Sequence, residues 1–396
     1  MELVFDPLTI SAITLAFSSI FLFYYLFHYR SSKASLSKKA PIVQGAWPIL
    51  GHLPLLRPSK GTSHRTLGGL ANKYGPLFSI KLGSKRALVI SDWEMAKECF
   101  TKNDLAISTR PRLESAQHMA YNGAMFTLAP YGPYWRQARK ITTLEILSHR
   151  RLEQLQHFRV MEVRRSIKEL YNVYKSSNNV SVDLKQWFAQ LSSDIVLPML
   201  VGNRFFGATS VIDKEKAQKC RQTLNEMLHL VGVFTVGDAL PFLKWFDFGG
   251  HVKAMKRAYK EMDKILGELL EEHRSHKKTL SEKDNVDPDH QDFMDVLLSL
   301  LDGTTIEGFD SDTTIKGTIL AVIAGGLDTT SATLTWAMSL QMVHLALASF
   351  LHSFEFSSPS TEPIDMTEAF GITNTKATPL KVDIRPCFAS TYYESM

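Results

Sequence analysis

The chain has 396 residues, 44% of them hydrophobic and 21% charged, the proportions of a globular protein with a large core and not of a disordered one. Its formal net charge of +5 comes without a Lys/Arg tract interleaved with aromatics, which argues against a nucleic-acid partner. Three widely spaced cysteines, Cys99, Cys220 and Cys387, lack C-x-x-C spacing and so argue against a disulfide framework or a zinc site.

From Leu8 to Tyr29 the sequence LTISAITLAFSSIFLFYYLFHY contains no Asp, Glu, Lys or Arg, and about 20 apolar residues suffice to cross a bilayer as a helix. Glu2 and Asp6 precede it, whereas Arg30, Lys33, Lys38 and Lys39 follow. The positive-inside rule then places the bulk of the chain in the cytosol. A cleaved signal peptide would have a shorter apolar region and a basic start. Residues 1–30 are therefore expected to form a membrane anchor, and 31–60 a basic, Pro/Gly-rich hinge. In APIVQGAWPILGHLPLL, Pro41, Gly45, Pro48, Gly51 and Pro54 oppose a regular helix.

Further along, LFSIKLGSKRALVI (77–90) alternates apolar and polar residues around Gly83-Ser84 and predicts a hairpin. SDWE follows, with Ser91 and Glu94 read as the capping box of a helix running toward Phe100. From about 145 the pattern is helical: Leu152, Leu155, Phe158, Met161, Ile167, Leu170 and Tyr174 form one stripe, and Met255, Tyr259, Met262, Ile265, Leu266 and Leu269 another. The polar run 273–292 is expected to be an exposed loop. Near the end, Leu380, Val382 and Ile384 alternate with charges in PLKVDIRP, as in a half-buried strand. The fold expected is mainly α with a small β portion.

The most informative segment starts at the capping residues Asp310, Ser311 and Asp312. Between Thr318 and Leu351 the only charged residue is Asp328. A straight helix over that stretch would be about 51 Å long, so a break is expected. Gly325-Gly326 costs roughly 1 kcal/mol per glycine in a helix interior, which space for a ligand against the backbone would explain. Thr329, four residues after Gly325, can bond back to its carbonyl. Two readings stay open on these residues alone: a buried proton relay of Asp328 and Thr329, or a core or membrane-spanning helix that tolerates one acid.

GGLDTT, Gly325 to Thr330, resembles the oxygen-activating helix motif of the cytochrome P450 haem-thiolate monooxygenases, [AG]-G-x-[DE]-T-[TS]. WRQAR resembles that family's W-x-x-x-R helix, whose matching residues here, Trp135 and Arg139, would hold a haem propionate. Their i, i+4 spacing puts an indole N–H and a guanidinium on one helix face, both donors suited to a carboxylate. The tail DMTEAFGITNTKATPLKV is similar to the carboxyl-terminal end of the plant microsomal family numbered 82. The resemblance implies a cytochrome P450 fold, haem as cofactor with NADPH electrons from a separate membrane-bound reductase, the endoplasmic-reticulum membrane, and a small lipophilic substrate. Catalytic roles would fall to Asp328 and Thr329, and cofactor contacts to Trp135, Arg139, Gly325 and Gly326. Residues 115–130 correspond to a substrate-contacting loop.

The resemblance also exposes a gap. The family's E-x-x-R helix and its F-x-x-G-x-R-x-C-x-G loop, which supplies the iron ligand, are missing. QMVHLALASFLHSFEF resembles the helix that should follow that cysteine, yet it joins directly to LTWAMSL. The domain is thus expected to be incomplete, 61–340 joined to 341–396 across a missing segment of roughly a hundred residues, a large part of a typical domain. Two E-x-x-R strings, Glu162–Arg165 and Glu271–Arg274, precede the oxygen helix and read as helix-surface ion pairs. Cys387 lacks the Gly and Arg context of an iron ligand, and His344 reads as a core histidine. The expected product is poorly folded, haem-deficient and inactive. The alternative is a non-catalytic membrane protein with a second span at 318–351.

Overall fold

The protein is described from a computed structural model covering residues 15, 18–19, 40–57, 62–176, 181–202, 211–281, 291–339, 351–369 and 375–394. The predicted anchor, apart from three residues, lies outside these, as do His344 and the join between Leu340 and Gln341.

Helix α1 (Ser63–Tyr74) leads into strands β1 (Leu77–Leu82) and β2 (Lys85–Ile90), paired antiparallel with Leu82 opposite Lys85. The predicted turn requires its glycine. Gly83 has φ +60°, and a Cβ there would collide with the carbonyl of Ala239, which accepts from the Ser84 N–H at 2.9 Å. Period-2 alternation buries Phe78 and Ile80 with Val43 against Leu67 and Leu70 of α1. Val43 belongs to the hinge, whose described part is stitched to the hairpin. Buried His52 accepts from the Lys81 N–H at Nδ1 (2.8 Å), so its Nε2 carries the proton and donates to the Val43 carbonyl (2.9 Å). Helix α2 (Trp93–Thr101) starts one residue later than predicted. Asp92, not Ser91, is the cap, accepting from the Met95 N–H at 2.9 Å.

The helical body comprises α3 (Glu114–Met119), α4 (Pro133–Ile141), α5 (Gln156–Ser176), strand β3 (Ser181–Asp183), α6 (Leu184–Val201), α7 (Val211–Val231), α8 (His251–Ser281) and α9 (Phe293–Leu301). A short hairpin, β4 (Thr305–Ile306) and β5 (Phe309–Asp310), opens helix α10 (Ser311–Ser339). Asp310 caps α10 by accepting from the Thr313 N–H at 2.7 Å. Over its 29 residues α10 runs about 43 Å and packs on α6, α9 and α8. Ile315, Ile319, Leu320 and Ile323 of α10 share one core with Leu197 of α6, Met255, Met262 and Leu266 of α8 and Leu297 of α9. In the first predicted stripe Leu155, Ile167 and Leu170 are buried, but Met161 is exposed.

The polar run 273–292 is not simply an exposed loop. Helix α8 continues through Ser281, and both ends of the run are buried. His273 donates from Nδ1 to the Leu269 carbonyl (2.7 Å) and from Nε2 to Asp292 (2.9 Å), and Asp292 caps α9 through the Asp295 N–H (2.9 Å). A ring that donates from both nitrogens is an imidazolium. Burial opposes that charge, but the hydrogen bond and charge of Asp292, with the Leu269 carbonyl, outweigh it and raise the His273 pKa.

The carboxyl-terminal segment builds a second core. Strands β6 (Phe354–Ser357) and β7 (Lys381–Pro386) pair antiparallel, and β3 adds to the other edge of β7. The predicted alternation holds: Leu380, Val382 and Ile384 are buried with Leu170 of α5, Phe188 and Leu191 of α6, and Phe354. Helix α11 (Ser390–Glu394) contributes fully buried Tyr393, stacked on Tyr171 at 4.4 Å. Glu368 ties the segment to α1 through Arg65 (2.9 and 3.0 Å) and Thr62 (3.1 Å).

Replacing His273 with Leu strands Asp292 as a buried charge and is expected to cost about 3–5 kcal/mol in denaturant unfolding below the ordinary histidine pKa of about 6.5. Because the folded pKa is raised, the pair's contribution is complete below that pH and is lost as pH rises through the folded value. The gap between parent and variant should therefore narrow as the pH of the unfolding experiment is increased.

Candidate functional site

Helix α4 brings Trp135 and Arg139 together as their spacing predicts. Pro133 occupies the first turn, where its missing N–H has no intrahelical partner to lose, and Tyr134 anchors the helix by donating to the Ala124 carbonyl at 2.6 Å. Burial pushes the Tyr134 phenol up to about 12, so it stays a donor. The Arg139 guanidinium lies 4.9 Å from the centre of the Trp135 ring, a cation–π contact that orients it. Arg139 is exposed and makes no ion pair among the described residues. One helix face thus presents two donors without an anion.

On α10 the two glycines separate into different roles. Gly325 faces open space, whereas a Cβ on Gly326 would sit 3.2 and 3.3 Å from the Val196 methyl groups of α6. Gly325 is the position with room for a ligand, and Gly326 serves helix packing. The Thr329 hydroxyl donates to the Gly325 carbonyl at 2.5 Å, as its spacing predicts, and the Thr333 hydroxyl donates to the Thr329 carbonyl at 2.8 Å. The predicted burial of Thr329 is not found: it is exposed, because nothing among the described residues covers this face. The Asp328 side chain lies outside the described residues.

An iron ligand is a separate requirement. All three cysteines of the chain are described, and none has the Gly and Arg sequence context of the family's iron ligand. Cys220 is sealed in the main core, where burial raises its thiol to about 11. Cys387 is exposed beyond β7, its N–H donating to the Ser353 carbonyl, and Cys99 is half-buried on α2. A low-pKa cysteine needs nearby positive charge or a helix N-terminus. Trp135 and Arg139 thus offer donors of the kind a haem propionate would take, whereas no cysteine has the Gly and Arg sequence context of the family's iron ligand.

The E-x-x-R strings make ion pairs within their own helices and also reach neighbouring elements, Arg165 lying 3.5 Å from Asp194 of α6. Arg165 pairs with Glu162 at 2.8 Å, while Arg274 joins Glu271 (2.7 Å), Asp302 (3.4 Å) and Asp312, tying α8 to α10. His273, Asp292 and Asp295 offer ligand atoms within 4.8 Å of one another, but both His273 nitrogens are already donating, and a helix N-terminus repels a cation. The apolar residues of the 115–130 segment are largely core: Met119, Ala120, Ala124, Met125 and Ala129 are buried. No sequence pattern singles out Gly317. A Cβ there would lie 2.9 Å from the Ala124 backbone, so α10 can approach this segment only through a glycine.

A mainly helical body around one long helix, with small antiparallel sheets beside it, is the architecture of the cytochrome P450 fold. A sequence model of cytochrome P450 matches residues 41–344. Cytochrome P450 82A4 of Glycine max is 44% identical, with 91% of this chain and 93% of the relative covered. Cytochrome P450 82A2 of Glycine max is 39% identical in an alignment of 534 residues that takes in all of both chains, so 138 of its positions have no counterpart among the 396 residues here. Strychnine-10-hydroxylase of Strychnos nux-vomica is 46% identical, with 86% of this chain and 65% of the relative covered. A zebrafish cytochrome P450 solved with progesterone shares the fold at a TM-score of 0.54 and 18% identity, over 73% of this chain and 62% of that one. The chain belongs to the cytochrome P450 family, and within it resembles the plant members of family 82.

The contrast between glycines can be measured. Gly325→Ala should leave the melting temperature unchanged or raise it, gaining up to about 1 kcal/mol of helix propensity. Gly317→Ala should lower it, since overpacking against backbone costs about 1–3 kcal/mol.

Proposed function

We propose that this chain is an endoplasmic-reticulum-anchored plant monooxygenase isoform that has lost its axial cysteine segment between Leu340 and Gln341, and with it the oxygen-insertion activity. In its complete form the protein would hydroxylate a small lipophilic plant metabolite, using haem and NADPH electrons from cytochrome P450 reductase. The named hydroxylases among its relatives support that class of reaction. A thiolate-ligated haem supplies the electron donation that favours O–O cleavage. Here Trp135 and Arg139 would neutralise a propionate, Gly325 would leave room beside the helix, and Thr329 would hold a proton at its hydroxyl, with Asp328 beside it on the same turn.

The observation that carries the reading is the state of the three cysteines: buried and protonated, half-buried, or exposed beyond a strand end. Three further facts support it. The long alignments leave more than a hundred positions unmatched, and the family match stops at residue 344. Large apolar side chains on and after α2 stand uncovered, Trp93, Phe100 and Leu105 each about 70% exposed. A missing segment of the domain would leave such a face bare.

The second-span reading draws on Ser311–Thr335, which is long and apolar enough to cross a membrane. Its packing favours a core helix instead. Thr314, Thr318, Ser331 and Thr335 are buried among protein neighbours, and Arg274 holds Asp312 at its start. Protease digestion of sealed microsomes should leave the carboxyl terminus accessible from the cytosolic side, and protection would support the second span.

Microsomes containing the chain, reduced and treated with carbon monoxide, should lack the thiolate-type absorbance band. A normal band from this chain would refute the loss of activity.

A further inference from the structure

A groove of about 370 Å³ lies where α6, α7 and α10 meet, a volume ordinary for a small-molecule site. Its residues from α10 are Leu327 and Ser331. Thr329 lies two residues from each, about 200° round the helix. The groove is therefore on the side of α10 away from the Gly325–Thr329 pair, and a ligand in it would not meet those residues.

The floor is half polar and half apolar. Leu224 and Leu327 are buried there, and so are Ser193, 5% exposed, and Ser331, 8% exposed. Neither serine hydroxyl has a hydrogen-bond partner among the described residues. Burying a hydroxyl without a partner is costly, so a group entering the groove has two donors and acceptors waiting for it.

The walls follow from the sequence. Gln186, Gln190 and Ser193 on α6 and Gln218, Gln222 and Asn225 on α7 share one i, i+4, i+7 spacing, which gives each helix a polar stripe along the groove. Gln190 donates its amide N–H to Asp194 at 2.8 Å, leaving its carbonyl free to accept. Arg221 is the one charged residue lining the groove, and Asp194 lies 3.8 Å from it. The groove thus offers amides and hydroxyls with its one cation already matched, which suits a neutral ligand carrying both donors and acceptors. An amide sets a donor beside an acceptor, the pattern that pairs bidentately with the edge of an adenine, and the two floor leucines suit the flat apolar face of such a ring.

We propose that this groove binds a neutral purine base, its edge bonded by the Gln222 and Asn225 amides and the Ser193 and Ser331 hydroxyls, and its faces packed against Leu224 and Leu327. The polar groups set orientation, and the leucines supply apolar contact.

Equilibrium dialysis of the detergent-solubilised full chain with adenine tests this. Saturable binding of one equivalent is expected. Benzimidazole, which keeps the fused ring but lacks the amino group and two ring acceptors, should bind about tenfold more weakly. Adenosine monophosphate should bind no more tightly than adenine, because Asp194 already matches Arg221. Asn225→Leu should weaken adenine about tenfold and Ser331→Ala about three- to tenfold. Ser331→Ala should not lower the melting temperature, because the hydroxyl it removes bonds no described residue. Ala189→Trp, at an exposed position on the groove wall, should fill the groove and abolish binding, whereas Lys260→Gln on α8 should bind as the parent does. Equal binding of adenine and benzimidazole, tighter binding of the monophosphate, parent-like binding by Ala189→Trp, or no saturable binding would each overturn the proposal.

Discussion

A cysteine ligates iron as its thiolate, and a thiol ionises near neutral pH only where nearby charge or hydrogen bonds favour the anion. That constraint governs what this molecule can do. Cys220 illustrates the opposite environment: packed among the methionines and leucines of the main core, its thiol is pushed up to about 11. Of the other two cysteines, Cys387 stands exposed past β7 and Cys99 is half-buried on α2. In the reading proposed above, Trp135 and Arg139 on α4 would hold a haem propionate and the open Gly325 on α10 would leave room beside it, while no cysteine has the sequence context of the family's iron ligand.

The described scaffold is built on two large apolar cores. Helix α10 is held by α6, where Gly326 meets Val196, and by the 114–130 segment, where Gly317 meets Ala124. The carboxyl-terminal strands close a separate core over α5 and α6, pinned at its edge by the Glu368–Arg65 pair. Hydrophobic burial is non-directional and tolerates rearranged connections, whereas metal ligation demands particular atoms at particular distances. Much of a family's architecture can therefore be specified by burial alone, independently of the atoms that would ligate a metal.

Features set by local spacing were legible in the sequence. The 77–90 hairpin, the 380–384 strand, the Trp135–Arg139 pair and the Thr329–Gly325 bond all depend on residues a few positions apart. Features set by distant contacts were not. His273 pairs with Asp292 across a polar run that looks like plain loop, a contact nineteen residues apart that no local pattern identifies. Strand β3 joins β7 across about two hundred residues, and Gly317 is needed only because Ala124 happens to face it. Burial of Thr329 was expected from the apolar run around it, but hydrophobic neighbours in sequence do not guarantee a covering element in space. The split between Gly325 and Gly326 likewise depends on Val196, which no local pattern identifies.

The most direct measurement is electron paramagnetic resonance of the purified full chain after loading with ferric haem. The account predicts a spectrum without the low-spin signature of sulfur ligation, whether or not haem is retained through the Arg139–Trp135 side. A stoichiometric low-spin signal of thiolate type, abolished by replacing any one of Cys99, Cys220 or Cys387 with Ser, would contradict it.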